Sequence, residues 1–232
     1  MKTLGLLGGM SWESTQTYYR LVNEGIRDRL GGLHSAELVL YSVDFEPIER
    51  LQREARWDEA GAELAKAARG LEAAGAEGLL LCTNTMHKVA PALEAAIGIP
   101  LLHIADATGA AVAVAGHATV GLLGTRFTMT EDFYRGRLSE RFGLDVLVPE
   151  EADRDVVDRV IFDELCLGRV LEPSRERYRR IMGDLAGRGA EGIVLGCTEI
   201  PLLVNPDDCP LPTLDSTRLL ARAALIKSLE NE

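Results

Sequence analysis

One short phrase occurs twice in this chain of 232 residues: positions 75 to 84 read GAEGLLLCTN and positions 189 to 198 read GAEGIVLGCT. A gapless overlay sets Cys82 on Gly196 and Thr83 on Cys197. A second echo, LGLLG at 4 to 8 and VGLLG at 120 to 124, recurs at nearly the same offset. Self-similarity at a fixed spacing is what a duplicated supersecondary unit leaves behind. The chain is thereby constrained to two copies of one unit, each of roughly 100 residues, which is ordinary for a small domain. Two such halves, facing each other, are expected to bring equivalent strand ends to opposite sides of one cleft. That arrangement suits a reaction needing a group on each face of its substrate.

Short leucine-rich or β-branched runs alternate with longer Ala/Glu/Arg-rich amphipathic stretches, the pattern of βα units and a parallel sheet. Strands are predicted at 3–8, 36–43, 77–82, 100–103, 119–123, 144–148, 191–196 and 211–214. Helices are predicted at 13–30, 57–74, 88–97, 105–115, 129–142, 152–166, 174–188 and 216–229. The expected fold class is α/β, with two pseudo-symmetric lobes, each a parallel sheet flanked by helices, and the active site in the cleft between them. The first lobe is placed at 1–116, joined by a C-terminal helix at 215–232, and the second at 117–214. The opening MKTLGLLGGM has a short, Gly-broken apolar run followed at once by Glu13, so it reads as a strand and its loop, not as a signal peptide.

A hydrophobic fraction of 47% with 26% charged residues describes a soluble globular protein, neither disordered nor membrane-spanning. A formal charge of −11 argues against nucleic acid or an anionic membrane as partner. An acidic substrate then has to be attracted by local donors. Four cysteines, at 82, 166, 197 and 209, have no metal-type CxxC spacing and are too few for a disulfide scaffold, which points to a reducing cytoplasm. No His, Asp, Glu and Cys arrangement has metal-ligand spacing. Pyridoxal phosphate needs a Schiff-base lysine, and of Lys2, Lys66, Lys88 and Lys227 only Lys88 is well placed, without a phosphate cup beside it. No cofactor is expected.

Ligands of open parallel sheets sit at the carboxyl ends of the strands. The loops there are GGMSWES at 8–14, SVDFEPIERLQ at 42–52, TNTMHK at 83–88, GTRFTMT at 124–130 and CTEIP at 197–201. The Gly-rich first loop does not match G-x-G-x-x-G and reads as a tight strand-to-helix turn. Hydroxyls and backbone N–H groups at helix starts form a natural cradle for carboxylates. Cys197 ends a very apolar strand. Either strand-end N–H groups favour its thiolate, lowering a pKa of about 8.5, or it is a small buried apolar residue. Cys82, one residue earlier in register, should point to the opposite face and reads as packing, the alternative being a second catalytic thiol. Cys166 in a helix and Cys209 in a Pro-flanked loop read as inert. His87 reads as a group orienting its loop, and His103 as a buried hydrogen-bonded histidine.

Together GLLGGMSWEST, SVDF, CTNTMHK, HIADAT, GTRFTM and GCTEI resemble the cofactor-independent aspartate/glutamate racemase family over essentially the whole chain. The resemblance is nearest to its L-aspartate/glutamate-specific or broad-specificity amino-acid racemase branch. It implies two pseudo-symmetric α/β lobes in a homodimer, with a small amino-acid substrate between the lobes and no cofactor. In such enzymes each lobe donates a cysteine: one thiolate removes the α-proton and the opposing thiol reprotonates the other face. Here the second phrase is intact as Gly196-Cys197-Thr198, whereas the first has become Thr83-Asn84-Thr85. The resemblance therefore implies that Cys197 deprotonates L-aspartate or L-glutamate while Thr83, a far weaker acid, occupies the opposing acid/base position.

It further implies that Ser11 with the backbone of Met10, Asn84 with Thr85, and Thr198 hold the α-carboxylate and amino group. Thr125 and Thr128 match the threonines of the second lobe's first loop. Gln52, or one of Arg50, Arg53 and Arg56, meets a side-chain carboxylate, the alternative for the arginines being a solvated helix start. Some family members use a lysine in the helix before Gly168, where this chain has Asp163-Glu164-Leu165, so side-chain specificity stays open. Competing readings are a single-cysteine decarboxylase or cis-diacid isomerase of the same fold, and an amino-acid-binding sensor whose catalysis has decayed.

Overall fold

Continuous apolar runs such as LGLLG and GIVLG are buried along their whole length, as expected of parallel strands covered on both faces. In the computed structural model, which describes residues 1–230, these runs build two four-stranded sheets. Residues 231 and 232 of the segment predicted at 215–232 lie outside the described residues. The first sheet contains β1 (Leu4–Gly8), β2 (Leu38–Ser42), β3 (Gly78–Leu81) and β4 (Leu101–Leu102) in the order β2-β1-β3-β4. The second contains β5 (Thr119–Gly124), β6 (Asp145–Leu147), β7 (Gly192–Gly196) and β8 (Thr213–Asp215) in the order β6-β5-β7-β8. All neighbours in both sheets are parallel.

The duplication extends to the pairing register. Leu4 lies beside Gly78 and Val120 beside Gly192, so both repeated phrases pair in the same way within each copy. Glu77 N donates to Thr3 O at 2.8 Å and Glu191 N to Thr119 O at 2.9 Å. Gly75 and Gly189, at φ +97° and +98°, make the same left-handed turn between helix and strand, where a side chain is disfavoured. The copies differ where packing demands it: a Cβ at Gly196 would stand 3.0 Å from Leu122 Cδ1 and Leu123 O, so the counterpart of Cys82 has no side chain.

Two local expectations are corrected. The segment 42–52, read as a loop, contains the helix Phe45–Arg53: Asp44 caps it by accepting from Glu46 N, and Ile48, Leu51 and Gln52 form its buried face. The helix expected at 129–142 is two helices, Arg126–Thr130 and Arg135–Phe142. Thr125 caps the first at an earlier start, and the Thr130 hydroxyl bonds back to Arg126 O near its end.

The chain divides into two compact units, Met1–Ile104 together with the segment from Leu220 onward, and Ala105–Leu219. The helix Ile104–Ala115, placed before the division in the sequence reading, therefore groups almost wholly with the second unit. Asp106 pairs with Arg137 at 2.6 Å and Arg141 at 2.9 Å, and the Thr108 and Tyr134 hydroxyls are 3.1 Å apart, which accounts for the grouping. In the first unit the returning helix Ser216–Leu229 sets Leu225 against Gly25 and accepts Lys2 N at Ser228 O at 2.8 Å. Each unit has its own core, one gathering Leu7, Leu64, Leu79 and Leu81, the other Leu123, Tyr178, Ile193 and Leu195. Among the described residues no helix is long and apolar enough to cross a membrane.

Candidate functional site

In the second unit β5 and β7 are neighbours, so the Thr125 and Cys197 loops leave adjacent strand ends. Thr125 caps the short helix after β5, accepting from Thr128 N, with the two hydroxyls 3.2 Å apart and both side chains buried. Cys197 follows β7 directly and is 6% exposed. Its Sγ donates to Glu199 Oε2 at 3.0 Å, and Thr198 Oγ1 donates to the same oxygen at 2.6 Å. Burial, and after it the neighbouring Glu199 charge, push the Cys197 thiol well above its ordinary range, against one backbone hydrogen bond acting the other way. The expectation that strand-end N–H groups favour the thiolate is thus overturned: desolvation and a carboxylate outweigh them, and the resting side chain is a thiol. Tyr178 is pushed up by the same burial, reinforced by Cys197, Asp158 and Glu164.

In the first unit β1 and β3 are likewise adjacent and carry the Ser11 and Thr83 loops. Ser11 caps its helix as Thr125 does, accepting from Ser14 N at 3.3 Å with the hydroxyls also 3.3 Å apart. Ser14 was not singled out from sequence, although Ser11-x-x-Ser14 and Thr125-x-x-Thr128 have the same spacing. The Met10 side chain belongs to the core with Leu7, Ile48 and Met86, so what it offers a ligand is backbone. Thr83, Asn84 and Thr85 are all buried. His87 Nδ1 donates to Thr83 O at 2.8 Å while its Nε2 accepts Ile104 N at 3.2 Å, which assigns the Nδ1–H tautomer and fixes the loop. His103 stands edge-on to His87 at 4.6 Å between ring centroids.

Gln52 is buried and donates to Met86 Sδ at 2.9 Å. Arg50, Arg53 and Arg56 instead pair on the surface with Glu46, Glu49, and Glu54 with Glu59. Cys82 is fully buried and its thiol is held neutral by that burial. Cys166 and Cys209 are partly buried against the second core. Lys88 Nζ lies 4.0 Å over the Trp57 ring, occupied in a cation–π contact. Among the described residues no group of three or more His, Cys, Asp or Glu side chains is arranged to hold a metal ion. Glu199 is the buried partner of Cys197 and Thr198 that sequence reading did not single out. The signal was a carboxylate two positions after the cysteine, where the other copy has Thr85.

The family model for Asp/Glu/hydantoin racemases matches residues 7–224, spanning both sheets and every loop described above. The chain belongs to the Asp/Glu/hydantoin racemase family. Within that family it resembles the crystal structure of a proposed Asp/Glu racemase from Yersinia pestis, at 53% identity and a TM-score of 0.94 over 99% of this chain and 100% of that one. An aspartate racemase homologue from Pyrococcus horikoshii OT3 follows at 35% identity and a TM-score of 0.83, with 98% of each chain covered. A glutamate racemase of Pseudomonas paraeruginosa is 29% identical over 158 residues, 67% of this chain and 57% of that protein. The chain spans about half the length of the curated glutamate racemases it matches.

Proposed function

We propose that this chain is a cofactor-independent amino-acid racemase acting on L-aspartate or L-glutamate, working as a homodimer in the cytoplasm. Cys197 removes the α-proton and Thr83 occupies the opposing acid/base position. The observation that carries this reading is the register equivalence of the two copies. Thr83, two residues past β3, and Cys197, one residue past β7, are equivalent in the overlay of the two phrases and leave strands paired in the same register, in a family of racemases. Ser11, the Met10 backbone, Asn84, Thr85 and Thr198 hold the α-carboxylate and amino group, which lowers the cost of the developing carbanion. Thr125 and Thr128 complete the polar lining, and Gln52, the buried polar side chain of its helix, meets the side-chain carboxylate.

L and D enantiomers have equal free energy in achiral water, so catalytic efficiencies in the two directions must match for complete racemisation. An enzyme that works only from the Cys197 side exchanges the α-hydrogen of L-substrate with solvent and returns L. Full inversion requires a route through Thr83 both ways.

The test is proton NMR with L- and D-aspartate and glutamate in deuterated buffer, following α-proton loss beside chiral analysis, with Cys197→Ser as control. Exchange from L-substrate that falls roughly 100-fold or more in the control supports the reading. Absence of exchange from all four overturns it, and carbon dioxide release from malonates or loss of maleate absorbance would then favour the decarboxylase or isomerase of the same fold.

A further inference from the structure

We propose that Glu199 is the positioning residue for Cys197: its carboxylate accepts the thiol proton, so that the base is a Cys197–Glu199 pair sharing one proton instead of a free thiolate. The substrate of the step rests on the racemase reading above; the pair itself does not. A carboxylate as buried as Glu199 is costly unless its oxygens are bonded. Here Oε2 takes both the Cys197 thiol and the Thr198 hydroxyl, at 3.0 and 2.6 Å. The duplication adds an independent observation. Overlaying the copies sets Cys197 on Thr83 and Glu199 on Thr85, so the copy with a thiol at this position also has the carboxylate two residues on, and the copy with a hydroxyl there has neither at these two positions. Two groups that occur together in one copy and are replaced together by hydroxyls in the other behave as a unit.

The Sγ–H bond breaks, its proton passes to Oε2 and its electron pair stays on sulfur. That pair then takes the α-proton of the substrate, whose C–H electrons remain on the α-carbon as the carbanion. The Cys197–Glu199 pair, which began with one proton and one negative charge, ends with two protons and none. Thr198 is partly exposed, and its hydroxyl can rotate to accept the Oε2 proton and hand it to solvent. Titratable groups coupled to the pair include Cys166, from the turn Leu165–Leu167, and Tyr178, from the helix Glu172–Gly187, with Asp158 and Glu164 acting on Tyr178.

The pair predicts a dissociation that a merely structural or merely inhibitory role does not. Thiolate ultraviolet absorbance is followed against pH for wild type, Glu199→Gln and Glu199→Asp, each minus its own Cys197→Ser variant, beside α-proton exchange of the L-substrates. Removing the adjacent charge in Glu199→Gln is expected to move the Cys197 midpoint about one pH unit lower or more, while exchange falls roughly 100-fold because the proton acceptor is gone. Glu199→Asp, keeping a carboxylate, is expected to hold an intermediate midpoint and to recover about a tenth of the exchange. An unchanged midpoint in both variants, or exchange in Glu199→Gln within about threefold of wild type, overturns the proposal. Should Glu199→Gln fail to fold, Glu199→Asp is read alone, and a wild-type midpoint overturns the proposal. Should wild type exchange no substrate, the racemase reading fails while the midpoints still decide the pair.

Discussion

A hydroxyl and a thiol at equivalent positions, Thr83 and Cys197, make two chemically unequal halves from one duplicated frame. A thiolate is reachable near neutral pH with local help, whereas a threonine alkoxide is not. Thr83→Cys is therefore expected to raise α-proton exchange from D-aspartate or D-glutamate about tenfold or more, within the span usual for a general acid or base. Cys82 is buried and lies one position earlier than Thr83, where strand alternation is expected to turn it to the opposite face. Cys82→Ala is expected to cost about 1 kcal/mol of stability through lost packing and to leave exchange within about twofold. Measuring both variants by the same NMR assay separates the alternatives. A large loss in Cys82→Ala with no gain in Thr83→Cys would make Cys82 the facing group.

Between elements, the helices Glu151–Asp163 and Glu172–Gly187 are tied by Arg180, whose Nη1 and Nη2 reach the two Asp153 oxygens at 3.0 and 2.5 Å. The Arg180 hydrogen bond holds the Asp153 carboxyl below its ordinary value of 3.8. A carboxylate depressed in the folded state stabilises it above the unfolded pKa and loses that contribution as pH falls through the folded one. Because Arg180 is half exposed, Asp153→Asn is expected to cost only about 1 kcal/mol at neutral pH. Its difference from wild type should begin to shrink below about pH 3.8, where the unfolded-state carboxyl protonates, and be lost as pH falls through the lower folded value. Denaturant unfolding at pH 7 and at about pH 3 checks both the size and the sign. A pH-independent difference would mean that the aspartate acts through packing instead.

At the same scale, the sheets were legible because strands buried on both faces appear as unbroken apolar runs. The repeated phrases even carried the register, Leu4 on Gly78 and Val120 on Gly192. The helix Phe45–Arg53 escaped because its Pro47 and acidic first turn look like loop, while its burial depends on partners distant in sequence. The protonation of Cys197 escaped for a similar reason. Strand-end N–H groups are implied by topology, but the depth of burial and the Glu199 oxygen 3.0 Å away are not.

For the molecule as a whole, the duplicated sheets end in unequal edges. β6 is three residues long and exposes Asp145, the short charged edge by which proteins discourage further pairing. β2, its counterpart, runs for five residues and leaves Leu40 and Tyr41 exposed. Beside it Trp12 and Tyr19 complete an apolar groove of about 320 Å³ with Thr15, Gln16, Leu40 and Ser42. The proposed homodimer is expected to cover this edge, because a two-fold axis can pair a strand with its own copy antiparallel and set the same patch on both sides. Leu40 is the middle residue of β2, so an axis through the centre of that strand would bring it opposite itself. Leu40→Glu then places like charges directly across the pair. Sedimentation equilibrium is expected to change from dimer to monomer in this variant, with little change in far-ultraviolet circular dichroism. Asp145→Asn on the other sheet should leave the dimer intact. Each chain carries −11, so two copies repel at long range, and association should tighten as added salt screens that repulsion. A Leu40→Glu protein that remains dimeric at low salt would move the interface off β2, since neither apolar cover nor charge tolerance would then account for it.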